Sequence, residues 1–236
     1  MNYVKDWVHF LLGVRLGVAH SPDGWLMPLT ASDVAWMCRA IAGESSGVLG
    51  PPSDAVAWAM IQYAYARRHD TWDRRGGGWT LRPPHSLTEI LLFYCQPINP
   101  YWRNRGDAAA IRRRNRFASM GPAECERTYP GLIARVLSLF RGGIASDPYT
   151  GLIEFGQTAW MEGRHGGRGT VIGGNSFYTA FGSGSWERGR VQVAPPASVS
   201  VSRLIVPVGL QIATGATVAV GPQSMASRIS IPFIKP

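Results

Sequence analysis

Glu44 is the acid in this chain whose neighbours best suit proton transfer. It stands in Ile41-Ala42-Gly43-Glu44-Ser45-Ser46-Gly47, three residues after Ile41 and seven after Met37. On a helix that spacing sets the carboxyl on the apolar face. A carboxyl on such a face loses hydration, which disfavours the anion and raises its pKa. A general acid working near neutral pH needs that property. The other reading is a frayed helix end whose carboxyl is solvated or bonded to nearby backbone.

Asp54, Glu89 and Glu154 are the acids that could stand beside it as a second carboxylate. Asp54 reads as part of a helix cap, and Glu89 completes the capping box Ser86-Leu87-Thr88-Glu89. Glu154 is the strongest of the three, with a solvated or structural role as its alternative. No metal centre is expected. His69, His85 and His165 show no i, i+4 pairing, and Cys38, Cys95 and Cys125 lack ligand spacing. The odd cysteine count argues against a disulfide framework, and Cys38 reads as core. The glycine runs Gly76-Gly77-Gly78 and Gly163–Gly174 form no phosphate-binding signature, so no cofactor is expected.

The 24 basic residues, 22 of them Arg, outnumber 15 acids and give a net charge of +9. A field of that sign favours polyanionic surroundings such as nucleic acid, anionic lipid or bacterial wall polymers, without choosing among them. Arg103, Arg105, Arg112, Arg113, Arg114 and Arg116 form a cluster whose only acid is Asp107, next to Tyr101 and Trp102. It accompanies no recognised nucleic-acid motif and reads as a charged loop, so nucleic acid is not an expected partner. A salt-sensitive nucleic-acid binder remains the weaker reading of the same cluster.

These residues need elements to hold them. Apolar residues make up 45% of the 236, enough to bury a sizeable core. Thr30 or Ser32 can cap a helix through Val34, Met37, Cys38 and Ile41. Ser53 is expected to cap a second through Ala55–Arg67. Ser86 begins a third, and Tyr129-Pro130 a fourth closed by Gly142-Gly143. Arg74–Trp79 and Pro97–Arg105 read as loops, and residues 146–190 as Gly- and aromatic-rich with little helical period. The last 46 residues contain no Asp, Glu, Trp or Tyr. Short strand-like runs recur there at 199–202, 211–214, 217–220 and 228–231. Near the start, the apolar run Phe10–Val14 is stopped by Arg15, too short to span a membrane. It reads as a mature N-terminal helix. The expected organisation is mainly α (α+β): an N-terminal helix and linker at 1–30, a helical domain at 31–190, and a β-rich C-terminal extension at 191–236.

Three segments, in order, resemble the SleB-type cell wall hydrolases. Cys38-Arg39-Ala40-Ile41-Ala42-Gly43-Glu44-Ser45-Ser46-Gly47, followed by Asp54–Ile61, is similar to that family's small-residue helix ending in Gly-Glu and the Ala/Val-rich helix after it. Asp147-Pro148-Tyr149-Thr150-Gly151-Leu152-Ile153-Glu154-Phe155 resembles its Asp-Pro-Thr-Gly-Gly-Ala-x-x-Phe. Ile172-Gly173-Gly174-Asn175-Ser176-Phe177-Tyr178 resembles its Ile-Gly-Gly/Asn-His-x-Phe-Tyr. The match spans roughly residues 34–178. Asn175 replaces the family His, Leu152 stands where the second Gly of the Asp-Pro motif would be, and Asp70–Pro84 is a long basic insert. "ESSG" also resembles the catalytic segment of soluble lytic transglycosylases.

The resemblance implies a lysozyme-like domain that cleaves peptidoglycan glycan strands, with Glu44 as catalytic residue. A transglycosylase needs one carboxyl, whereas a hydrolase usually adds a second. The one-carboxylate chemistry is the better fit to these residues. Candidate substrate contacts are Tyr63, Glu154, Phe155, Gln157, Asn175 and Tyr178, since sugars stack on aromatic rings and bond to amides and phenols. Expected partners are peptidoglycan and, through the C-terminal tail, other virion or tail proteins. The expected location is a bacteriophage particle or the bacterial wall after export, not the interior of a membrane. The alternative is a virion or tail structural protein with a degenerate lysozyme-like domain.

Overall fold

The computed structural model describes residues 3–68, 72–73, 80–81, 86–167, 169–179 and 191–197. It opens with helix α1 (Tyr3–Phe10), strands β1 (Val18–His20) and β2 (Leu26–Pro28), and helices α2 (Ala31–Glu44) and α3 (Pro51–Ala66). Two short strands, β3 (Trp72–Asp73) and β4 (Thr80–Leu81), precede helices α4 (Leu87–Tyr94), α5 (Ala108–Ser119), α6 (Pro122–Thr128) and α7 (Leu132–Leu139). Strand β5 (Glu154–Gln157), helix α8 (Thr158–His165) and strands β6 (Thr170–Ile172), β7 (Asn175–Tyr178) and β8 (Gln192–Ala194) complete it. The architecture is α+β, with helices dominant. None of the described helices is long and apolar enough to cross a membrane.

Helix α2 is the hub because its polar start is fully satisfied. Thr30, not Ser32, is the cap, since only Thr30 has an acid at its third helical position. Asp33 Oδ2 accepts from the Thr30 backbone N–H at 2.8 Å and from its hydroxyl at 2.7 Å. Asp33 Oδ1 accepts from the Thr88 N–H and hydroxyl, both at 2.7 Å. One buried carboxylate therefore ties the N-terminus of α2 to that of α4, which carries the expected Ser86–Glu89 box. Ten of the fourteen α2 residues are buried, so the helix packs on several sides. Its neighbours include α1, α4, α5 and α7.

Other helix starts differ from expectation. Helix α3 begins at Pro51 behind Gly50, and Ser53 lies inside it, bonding back to the Gly50 carbonyl at 2.8 Å. Pro at the first helical position is preorganised for that start, so no side-chain cap is needed. Asp54 does not cap; Arg135 of α7 grips it with two bonds, at 2.9 and 2.5 Å. Helix α7 opens after a left-handed Gly131, which leaves Pro130 outside. The arginine cluster is not a loop: Arg112, Arg113, Arg114 and Arg116 lie on α5, capped by Asp107 through the Ala110 N–H at 2.7 Å. Helices α6 and α8 were not expected either. Each buries a single residue, Cys125 and Met161 respectively, which leaves little apolar period to read.

The N-terminal segment belongs to the main unit. Strand β1 pairs antiparallel with both β2 and β8, and Trp7 Nε1 donates to the Met120 carbonyl at 2.9 Å. Residues 3–30 and 191–197 belong with the body between them to one compact unit that reaches Ala197. Residues 198–236, with the strand-like runs expected there, lie outside the described residues, as does most of the insert Asp70–Pro84. One apolar cluster runs from Trp7 through α2, α3 and α4 to Val193.

Removing the Asp33 carboxylate leaves two helix starts without a partner. Asp33→Ala is expected to cost roughly 2–4 kcal/mol, from lost capping and orphaned donors. Chemical denaturation checks this as a lower midpoint at constant slope; an unshifted midpoint refutes the tie.

Candidate functional site

Glu44 is the last residue of α2 and is half-buried. The glycines around it let other segments close over the helix end. A Cβ at Gly43 would overlap Pro97, and one at Gly47 would run into the Tyr129 ring. Between them Ser46 holds a left-handed φ of 54°, a strained conformation for a residue with a side chain. Ser45 fixes the turn through its hydroxyl, which donates to the Ile41 carbonyl at 2.9 Å. Strain kept in place by packing on both sides is characteristic of a functional turn.

Burial at this turn pushes the Glu44 carboxyl up to about 7, against the opposing pull of the Gln96 backbone N–H and of Arg113. A carboxyl there holds a proton for a large share of the time at neutral pH, and it keeps part of its surface exposed for a substrate.

A three-stranded antiparallel sheet, ordered β5-β7-β6, brings distant residues to this helix end. Its register pairs Gln157 with Asn175, Phe155 with Phe177 and Glu154 with Tyr178. Paired residues share a face and successive ones alternate. Phe155 and Phe177 therefore stack on the core-facing side, 5.2 Å apart, with Gln157 and Asn175 at the edge of that side. Tyr94 locks β5 from the core, accepting from the Phe155 N–H at 2.8 Å and donating to its carbonyl at 3.1 Å. The β6–β7 turn leans on the start of α3: a Cβ at Gly173 would sit 2.6 Å from Pro52. The turn delivers Asn175 to α2, and its Nδ2 donates to the Glu44 carbonyl at 3.2 Å, across 131 residues.

Asn175 therefore reaches the backbone of Glu44, and Gln157 lies opposite Asn175 in the ladder. Gln157 is exposed and Asn175 half-buried. The other candidates go elsewhere. Tyr63 is 1% exposed and Phe155 5%, both inside the core, which removes them as sugar platforms. Glu154 faces the opposite side of the sheet, since it is an odd number of residues from Gln157. There it is buried under α8, with Arg164 and His165 each 3.2 Å away. The His165 approach is off the line of a hydrogen bond, and Glu154 Oε2 and His165 Nε2 have no such partner. Burial pushes the Glu154 carboxyl up, against the pull of Arg164 and His165. Tyr178 belongs to this second cluster, stacked on His165 at 4.0 Å and donating to the Gly167 carbonyl at 2.7 Å.

Trp160 was missed by sequence reasoning. It lies on the first turn of α8, three residues after Gln157, and is 59% exposed. It covers Gly156 on the α8 side of the sheet, with Arg164 5.4 Å over its ring, so the exposed indole stands with Glu154 and not with Gln157 and Asn175. Its position between two motif-bearing segments was the available signal. Among the described residues, no group of three or more His, Cys, Asp or Glu side chains could hold a metal ion.

The raised Glu44 pKa makes folding pH-dependent. From an ordinary value of 4.5 to a folded value of about 7, the native state holds a proton that the unfolded chain has released. Its stabilising effect is full below 4.5 and lost as pH rises through 7. Glu44→Gln, which cannot ionise, is expected to match the wild type in melting temperature at pH 4 and to exceed it at pH 8. A gap that is constant across this range would place the Glu44 carboxyl in water. Comparison with protein-family models, with characterised proteins and with solved structures gives no match to this chain.

Proposed function

We propose that this protein cleaves the glycan strands of peptidoglycan through a lysozyme-like domain, by lytic transglycosylation with Glu44 as the only acid and base. The observation that carries the reading is the Glu44 carboxyl, kept protonatable near neutral pH by burial at the end of α2, where Asn175 bonds to the Glu44 backbone carbonyl. In this mechanism protonated Glu44 gives its proton to the bridging oxygen as the C1–O bond breaks. The sugar's own 6-hydroxyl then attacks C1, its proton passes to the Glu44 carboxylate, and a 1,6-anhydro end results. The acid is regenerated without water being consumed.

Occupation of the other acids supports one carboxylate over two. Asp54 is held by Arg135, Glu89 closes a capping box, and Glu154 sits on the far face of its sheet beside Arg164 and His165. Gln157 and Asn175 are the substrate contacts in this reading. Peptidoglycan is the partner, reached from a virion or after export. The C-terminal tail docks to virion or tail proteins.

A second reading, a structural virion protein with a degenerate domain, is favoured by one observation: Tyr63 and Phe155 lie in the core. A digest of purified peptidoglycan, read by mass spectrometry, separates the two. Wild type is expected to release 1,6-anhydro products, and Glu44→Gln to be slower by about 10²–10⁴-fold. The rate should fall as pH rises above about 7, where the acid form is lost. Reducing-end products would mean hydrolysis, and no products from either protein would favour the structural reading.

A further inference from the structure

A cavity of about 390 Å³ opens beside the last turn of α2. Ala42, Phe117 and Tyr129 form an apolar floor, Ser46 adds a hydroxyl, and Arg112, Arg113 and Arg116 project from α5 around it. This is the size of a site for a small-molecule group. Arg112 and Arg116 are one helical turn apart, and Arg113 lies between them. Like charges at that spacing disfavour the helix. Only Arg116 has an acidic partner among the described residues, Glu124 at 2.9 Å. Three guanidinium groups gathered over an aromatic floor, with one neutralised, leave an uncompensated positive charge facing a concave space.

That charge bears on the chemistry next to it. Ala42 and Ser46 stand two residues either side of Glu44, which itself does not line the cavity, and Arg113 is the cation whose field reaches the Glu44 carboxyl. Arg113 thus ties the cavity to the acid. We propose that the cavity is an oxyanion site that takes a carboxylate substituent of the glycan strand presented to Glu44. The assignment rests on the glycan-cleavage reading above. Guanidinium forks match carboxylate and phosphate alike. The position beside Glu44 selects a carboxylate on the same strand over a separate wall phosphodiester. A concave pocket on one helix face, rather than a continuous basic stripe, disfavours nucleic acid.

Full-length Glu44→Gln, slowed in turnover, serves as the reference in calorimetric titrations. The probes are a muramyl-containing tetrasaccharide with free carboxylates, neutral chitotetraose, glycerol 3-phosphate and duplex DNA. The carboxylate glycan is expected to bind about tenfold or more tighter than chitotetraose. Adding Arg112→Gln and Arg113→Gln, both exposed positions, should erase most of that preference while the melting temperature stays within ordinary surface-substitution range. Equal affinity for the two glycans in the reference protein overturns the assignment, as does an equal loss of both in the arginine variant. Tighter binding of glycerol 3-phosphate or DNA than of the carboxylate glycan overturns it too. If wild type cleaves no peptidoglycan but the arginine-dependent preference persists, the catalytic reading fails and the cavity stands. If cleavage occurs without the preference, the reverse holds.

Discussion

A helix buried along most of its length must find a partner inside the protein for each charge it carries, and α2 carries them at its start, middle and end. Asp33 is fully satisfied, with four donors shared between its two oxygens. Arg39 is half satisfied. Its Nε donates to the Met120 carbonyl at 3.0 Å and its guanidinium lies 4.4 Å over Trp36, but Nη2 is buried without a hydrogen bond. Desolvation brings its pKa down to about 10, which still leaves it cationic at neutral pH. Glu44 is the least compensated, facing one backbone N–H and the field of one arginine. Satisfaction falls along the helix from an end that anchors the fold to an end that can exchange a proton.

The far wall of the site depends on register. A β5–β7 pairing shifted by one residue would turn Phe155 and Phe177 out of the core, which fixes the pairing against slippage. Once it is fixed, Gln157 and Asn175 necessarily sit opposite one another at the edge next to α2, and Glu154 and Tyr178 at the other end of the ladder. Thr158 secures that edge, donating to the Gly174 carbonyl at 3.3 Å and accepting from the Ser176 hydroxyl at 3.1 Å. The polar groups at that edge are thus consequences of core packing two residues away along the same strands.

Much of the helical frame was legible because caps are local chemistry. Ser86-Leu87-Thr88-Glu89 is readable in four residues, and the choice of Thr30 over Ser32 follows from which has an acid three positions on. Glu44 on the apolar side was legible from spacing. Helix α5 was not, because its guanidinium groups hide the period that Phe117 and Ala118 supply near its end, although Asp107 before three alanines was a start signal. Pairing of β8 with β1 joins segments 170 and more residues apart, and no local pattern encodes it. The meeting of Asn175 with Glu44 is of the same kind. The separation of Glu154 from Gln157 was available from the two-residue period of a strand, once 154–157 is seen as one.

Two carboxyls in this protein are pushed up by burial, and they are not equivalent. Around Glu154 stand Arg164 and His165, each 3.2 Å away, so burial raises its pKa against the pull of close partners. Its location beneath α8, 3% exposed at the side chain, leaves no approach for a large substrate. Around Glu44 the positive charge is one arginine, Arg113, which also stands at the mouth of a cavity, while the carboxyl keeps a route to solvent. A general acid must hold its proton until substrate arrives and must then be reached by it. Glu44 meets both conditions and Glu154 fails the second, which is why burial alone does not identify the acid and access to it does.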